Sequence, residues 1–361
     1  MTSSPAHPAG TQPELRLRTP ADLVAAVPSL LGFHPTDSLV LVGLADEDGL
    51  GLLRFAMRID LPPPDSPWPV LDNVAEWLVE HVALRHCADV MAVVVGGGPA
   101  PPAGAAPPRH DLVDALARAC VPAEVELRQA VWTSRIAQGE QWLCYRDSGC
   151  SGRLPDPSIT PLAAATIASG QVIHADRAAL ERLVARGDPA TLSRRSERLN
   201  ARIDGFLRDG DGPLAGPRGF ELVRRHLAAA AAGRLAWSDE EVVDVCLALA
   251  DPDVRDACFG FAFGRQADAA ERLWTALLAE APDPEAAEPA VLLAGCALVR
   301  HDGALFGVAL ERAQQAWPGH LLSQVMGEAL HGGADPEYVV RWLRQVVDCG
   351  RAGLELPATE G

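Results

Sequence analysis

The sequence contains no lysine, so all 31 basic residues are arginine. Arginine keeps its proton at any working pH and cannot serve as an amine nucleophile or a base. Schiff-base chemistry, a Walker-type phosphate lysine and a kinase-type lysine are therefore excluded. Positive charge is also scarce, with 48 acids giving a net charge of −17. Phosphate-backbone binding needs a concentrated basic surface, which disfavours nucleic acid as a partner.

Long apolar runs are missing too. The long uncharged stretch from Met91 to Pro108 is interrupted by glycines and prolines, so no membrane-spanning helix is expected. Residues Met1 to Gln12 lack the basic start and apolar centre of a signal peptide. The expected location is cytoplasmic. The eight cysteines are scattered, most of them in apolar runs such as Val245-Cys246-Leu247. They read as small buried hydrophobes in a reducing compartment, with no disulfide framework.

What is present is an ordinary globular composition, 48% apolar and 22% charged over 361 residues, enough for two cores. Charge divides the chain. Residues 189–234 carry nine arginines against five acids, whereas both flanking regions are acidic. The expected organisation is a disordered start (1–14), a mixed α/β domain (15–188), a helical arginine-bearing connector (189–234), an α-helical domain (235–350) and a disordered tail (351–361).

The N-terminal region alternates between helical and strand periods. Thr19-Pro20-Ala21-Asp22 starts a helix that runs to Leu31 and stops at Gly32. Ser38–Leu44 and Leu52–Asp60 read as strands of an antiparallel hairpin turning at Asp46–Gly49. A helix from Val70 to about Cys87 places Val74, Trp77, Leu78 and Val82 on one face. Asp89–Val95 is apolar enough for a strand buried on both sides. A helix over His110–Cys120 and strands near Glu124–Thr133 and Gln141–Tyr145 follow. The fold class is a mixed sheet covered by helices.

The C-terminal region shows no strand pattern. Ser238 and Glu241 form a capping box. Leu273, Trp274, Leu277 and Leu278 make a helical stripe. Residues 289–318 read as two helices around His301-Asp-Gly303, with another pair over 319–348. Small alanines at the close approaches give this half a tetratricopeptide-like pattern, an all-α array of helix hairpins.

The run Thr19-Pro-Ala-Asp-Leu, Val27-Pro28, Leu31-Gly-Phe-His-Pro35, Asp37-Ser38-Leu-Val40 resembles the opening signature of an actinobacterial family, domain of unknown function 4192. Val254-Arg-Asp-Ala257, Leu273-Trp274, Pro289-Ala290, Leu292-Leu-Ala294, Asp302-Gly-Ala-Leu305 and Ala309-Leu-Glu-Arg-Ala313 resemble its C-terminal half. The resemblance implies an organisation and a bacterial origin, and no mechanism. Relatives carry a cysteine and a Cys-Cys-Pro cluster after a Trp/Tyr-rich strand. Here Cys150 matches one cysteine while Asp147 stands near the place of another, which weakens a metal or redox reading of the cluster.

The sharpest candidate site is His34, Asp37 and Ser38 as a proton relay, with Arg58 and Asp60 as ligand-binding residues on the neighbouring strand. Arg58 would anchor an anionic small molecule. The structural alternative makes Asp37 and Ser38 an Asx-type turn and His34 a partner of helix-end carbonyls. Val93–Gly98 resembles a phosphate loop, but no helix follows at once, so it reads as a plain loop. Cys144 and Cys150 lack the neighbours of a zinc set, and no metal or cofactor is expected. Arg194, Arg195, Arg198 and Arg202 are spaced around Glu197 as a solvated helix face.

The leading functional expectation is a non-enzymatic small-ligand or protein-interaction module, with a protein or peptide partner at the helical half. The alternative is a hydrolase or transferase acting on a small polar or anionic substrate through His34, Asp37 and Arg58.

Overall fold

Thr19 starts the first helix, α1 (Pro20–Leu31), by reciprocal capping. Its hydroxyl accepts the Asp22 N–H at 3.2 Å, and the Asp22 carboxylate accepts the Thr19 N–H at 3.1 Å. The structure, a computed structural model, describes residues 19–45, 52–102, 105–147, 149–168, 170–209 and 215–356. The expected disordered start and the Asp46–Gly49 turn lie outside these residues. The chain forms two compact units divided at Ile173/His174.

In the first unit, β1 (Ser38–Ala45) and β2 (Leu52–Asp60) pair antiparallel. Then come α2 (Trp68–Ala83), β3 (Asp89–Val95), α3 (His110–Cys120) and β4 (Glu126–Thr133). β5 (Gln141–Cys144), β6 (Ser151–Arg153) and α4 (Pro161–Ala168) complete it. The six strands form one sheet in the order β2-β1-β3-β4-β5-β6, with only the β3–β4 neighbours parallel. That pair needs a crossover, which α3 supplies.

Side-chain alternation explains the core. Leu39, Leu41, Val90, Ala92, Val94 and Trp132 pack with Leu71, Leu78, Val82, Leu112 and Leu116 of α2 and α3. Val40, Val42, Val93 and Val131, on the other face of the sheet, are equally buried. Burial on both faces is why β3 reads as a continuous valine run rather than an alternating one. Each such side chain contributes about 1.5–3 kcal/mol relative to exposure.

The structure corrects three details. Helix α2 begins at Trp68 and ends at Ala83, so Cys87 lies beyond it. Trp77 is not on its buried face: it is 44% exposed and packs its ring on His81, centroids 4.1 Å apart. Strand β6 was not expected, because three residues with a central glycine carry no readable period.

The regular elements of the second unit are helices among its described residues. Its elements are α5 (Arg177–Leu183), α6 (Pro189–Asp209), α7 (Gly216–Ala231), α8 (Asp239–Leu249), α9 (Pro252–Cys258) and α10 (Ala267–Glu280). They continue with α11 (Ala287–Val299), α12 (Gly303–Ala316), α13 (Leu321–His331) and α14 (Pro336–Gly353). The break expected from charge stood at 188/189. Helix α5 belongs instead with the helical unit, where Arg177 donates two hydrogen bonds to Glu311 of α12 at 2.6 and 2.7 Å.

The arginine row of α6 reaches the acids of α8: Arg194, Arg198 and Arg202 stay exposed, as a solvated face requires, while Arg195 is buried. Arg194 and Arg195 both donate to Asp239 at 2.6 and 2.9 Å, Arg198 pairs with Glu240, and Arg202 reaches Asp244 at 2.8 Å. Arg195 is buried and also donates to the Glu280 carbonyl at 2.8 Å. The Ser238–Glu241 capping box is present at the start of α8, and Leu273, Trp274, Leu277 and Leu278 are wholly buried.

Helices α11 and α12 pack on each other across the short link at Arg300–Asp302, which Asp302 ends by capping α12. Helix α14 departs from a simple pair with α13 and packs chiefly on α9. Its Gly350 permits this, because a Cβ there would stand 2.6 Å from the Ala257 nitrogen. Order also runs past residue 351, where a disordered tail was expected, since Leu354 is only 2% exposed.

Candidate functional site

Four of the five residues singled out in the first unit do meet, at the Ser38/Asp60 end of the β1–β2 pair. The Ser38 hydroxyl is fully buried, donates to the Thr36 carbonyl at 2.6 Å and accepts from Arg58 Nε at 2.8 Å. Arg58 Nη2 donates to Asp60 at 2.5 Å, and only 11% of the Arg58 side chain is exposed. These bonds commit the hydroxyl and much of the guanidinium to holding the strand ends together.

Asp37 plays a comparable role. Its φ of 40° lies in the left-handed region, which short polar side chains tolerate. Its carboxylate accepts the Gly97 N–H at 2.9 Å, and its carbonyl accepts the Leu61 N–H at 2.8 Å. Gly96 must be glycine here, since φ is +76° and a Cβ would sit 2.5 Å from the Asp37 carboxylate. The glycine loop after β3 is thus a receptor for Asp37.

His34 stands apart. It lines a cavity of about 400 Å³ with Pro28, Pro157, Ile167 and Val172. Among the described residues no hydrogen bond joins it to Asp37, Ser38 or Arg58. A proton relay requires base and nucleophile within hydrogen-bond reach, and this arrangement does not supply it.

Sequence reasoning passed over Arg109, which sits against the same glycine loop. It is 7% exposed, adopts φ 61° and donates from Nη1 to the Pro62 carbonyl at 2.6 Å. A Cβ on Gly97 would stand 2.8 Å from its Cγ. Asp111 lies 3.5 Å from Nε. Arg109 therefore pins the Pro62 turn under the loop.

Another cavity lies in the helical unit, where the sequence named no candidate site residue. It measures about 660 Å³, within the range of small-ligand sites. One side is apolar: Trp317, Leu321, Leu322, Val325 and Trp342. Trp317, Leu321 and Val325 are exposed by 48%, 73% and 41%. The other side carries Arg255, Glu285, Glu288 and His320.

The polar side is built by helix ends. His320 caps α13, its Nδ1 accepting the Ser323 N–H at 3.3 Å. With Nδ1 an acceptor, the proton of the neutral ring sits on Nε2, which is 3.5 Å from Glu288 Oε1. Arg255 Nη1 lies 3.6 Å from the same oxygen but donates from Nε to Asp256 at 2.8 Å. Glu288 is 9% exposed, and its Oε2 has no hydrogen-bond donor among the described residues. Burial pushes the Glu285 carboxyl above its ordinary value, and the nearby Asp283 charge adds to the shift. Two carboxylates thus face one guanidinium that Asp256 already engages.

No sequence period could have found this site, because its walls come from α8, α9, α11, α13 and α14 and the turns between them. The one local signal is His320 before an apolar helix start. Among the described residues no three His, Cys, Asp or Glu side chains gather to hold a metal ion, and no helix is long and apolar enough to cross a membrane.

No curated protein and no solved structure matches the chain significantly. A family profile described as "Domain of unknown function (DUF4192)" matches residues 20–337. That span takes in the Asp37–Gly97 junction, the arginine-docked α6 and all of the helical cavity's wall except Trp342. The chain belongs to the DUF4192 family.

Proposed function

We propose that the helical unit is a non-enzymatic binding module that takes a small organic cation with an apolar body. The observation that carries this reading is Glu288, which lines a largely apolar cavity and whose buried Oε2 has no hydrogen-bond donor among the described residues. A buried carboxylate oxygen left without a donor costs about 1–3 kcal/mol or more, and an ammonium or guanidinium N–H would recover that. Glu285 adds a second carboxylate, and the indoles of Trp317 and Trp342 offer faces on which a cation is attracted. Leu321, Leu322 and Val325 would cover the ligand's apolar body. The ligand class extends to a peptide presenting a basic side chain beside an apolar one.

The test is thermal denaturation of the full chain with 2-phenylethylamine, 2-phenylethanol and 3-phenylpropanoate. The amine should raise the melting temperature, the alcohol less so and the carboxylate not at all. Glu288→Gln should abolish the amine's shift. A panel of aromatic and alkyl amines that leaves the melting temperature unchanged would overturn the reading, as would equal shifts from the carboxylate.

A further inference from the structure

Strands β5 and β6 place two cysteines face to face at the edge of the sheet. The register pairs Trp142 with Gly152 and Leu143 with Ser151. The next opposed residues are Cys144 and Cys150, and the Cys144 N–H donates to the Cys150 carbonyl at 3.0 Å. The intervening turn is closed at Asp147, whose carbonyl accepts the Cys150 N–H at 3.0 Å and whose side chain accepts the Gly149 N–H at 2.8 Å. Directly opposed residues in an antiparallel ladder stand about 4.5–5.5 Å apart at Cα, which lies inside the span a disulfide bridges.

The sulfurs are also chemically placed. Both thiols are free and half-buried. Both line a cavity of about 440 Å³, walled otherwise by Pro101, Pro102 and Pro107 of the loop before α3 and by Tyr145 and Arg146. Gln129 Nε2 donates to the Cys144 sulfur at 3.7 Å. Burial, the neighbouring Cys144 and the Asp147 charge push the Cys150 thiol upward. By contrast Cys87, Cys120, Cys246, Cys258 and Cys296 are buried.

We propose that Cys144 and Cys150 form a thiol–disulfide exchange site for small carboxylate-bearing disulfides. The Cys144 thiolate attacks one sulfur of the substrate. A new S–S bond forms, the substrate's bond breaks, and the departing thiolate takes up a proton. The Cys150 thiolate then attacks the Cys144 sulfur of the mixed disulfide, expelling the second substrate thiolate, which is protonated in turn. The protein loses two electrons and gains a Cys144–Cys150 disulfide, while the substrate is reduced to two thiols. Arg146 on the cavity wall supplies the positive charge that favours a carboxylate-bearing substrate.

The site is tested on the native full chain with oxidised glutathione, followed by iodoacetamide and trypsin. Cleavage after Arg146 puts Cys144 and Cys150 on separate peptides, so only a disulfide keeps them together. The expected result is that linked pair, lighter by two hydrogen atoms than the separate thiol peptides, with loss of iodoacetamide label at both cysteines and recovery after dithiothreitol. Cys150→Ser should trap glutathione on Cys144, and a melting curve like the wild type's shows that it has folded. Iodoacetamide labelling of both residues after the glutathione step, with adducts confined to the exposed Cys349, would overturn the proposal. So would a folded Cys150→Ser protein with no adduct on Cys144. If Cys150→Ser does not fold, the wild-type linkage alone decides.

Discussion

The Asp37 carboxylate accepts the backbone N–H of Gly97, sixty positions along the chain, at 2.9 Å. This bond ties the entry to β1 to the loop leaving β3, and it gives an acidic residue in a catalytic-looking sequence a structural task. Asp37→Asn keeps an acceptor oxygen and a residue that tolerates positive φ, so its cost should stay below about 1 kcal/mol. Gly96→Ala combines an unfavourable φ with a steric clash against the same carboxylate and should cost about 1–3 kcal/mol or more. Urea denaturation of both variants checks the ranking. A reversed order would show that the carboxylate's charge, rather than its acceptor geometry, is what matters.

Glu285 should make stability depend on pH. Burial raises its folded pKa above the ordinary 4.5, so the folded state holds the proton more tightly than the unfolded chain. Its contribution therefore falls as pH rises above 4.5 through the folded value. Glu285→Gln should melt higher than the wild type at neutral pH, and the gap should close on acidification below 4.5. A gap independent of pH would mean that the carboxyl is solvated.

Asp239 should show the opposite sign. Hydrogen bonds from Arg194 and Arg195 and their charges hold it far below the ordinary 3.8. The resulting stability is present above 3.8 and is lost as pH falls below it. Asp239→Asn should lower the melting temperature at neutral pH, where buried Arg195 loses an anionic partner. The deficit should shrink in strong acid. Melting curves across the acidic range decide this.

Gly350 offers a test of helix packing. In an exposed helix Gly→Ala gains up to about 1 kcal/mol. Here the added Cβ would stand 2.6 Å from the Ala257 nitrogen and 2.8 Å from the Asp253 carbonyl. Gly350→Ala should therefore destabilise by about 1–3 kcal/mol. A stabilised variant would show that α14 does not pack this closely on α9.

The expected elements were largely those that local rules govern. Thr19 with Asp22 and Ser238 with Glu241 cap their helices through contacts three residues apart, so a short window contains the whole cause. The valine run of β3 announces burial on both faces, because no other setting favours so many β-branched residues together. Three-residue β6 and exposed Trp77 escaped: one is too short to show a period, and the other is a large apolar residue whose helical neighbours Asn73, Val74, Glu80 and His81 lie outside the buried stripe.

The amino-acid sequence alone determined an arginine-only, acidic chain with a sheet-bearing front and a helical back, since periodicity, capping and composition act over neighbouring residues. Tertiary structure alone decided where the chemistry stands. It parted His34 from Asp37, gave Arg194, Arg195, Arg198 and Arg202 to the acids of α8, and opened a cavity around Glu288 from five helices. Those outcomes depend on which distant surfaces meet, and the direction in which a folded side chain ends is set by its neighbours in space.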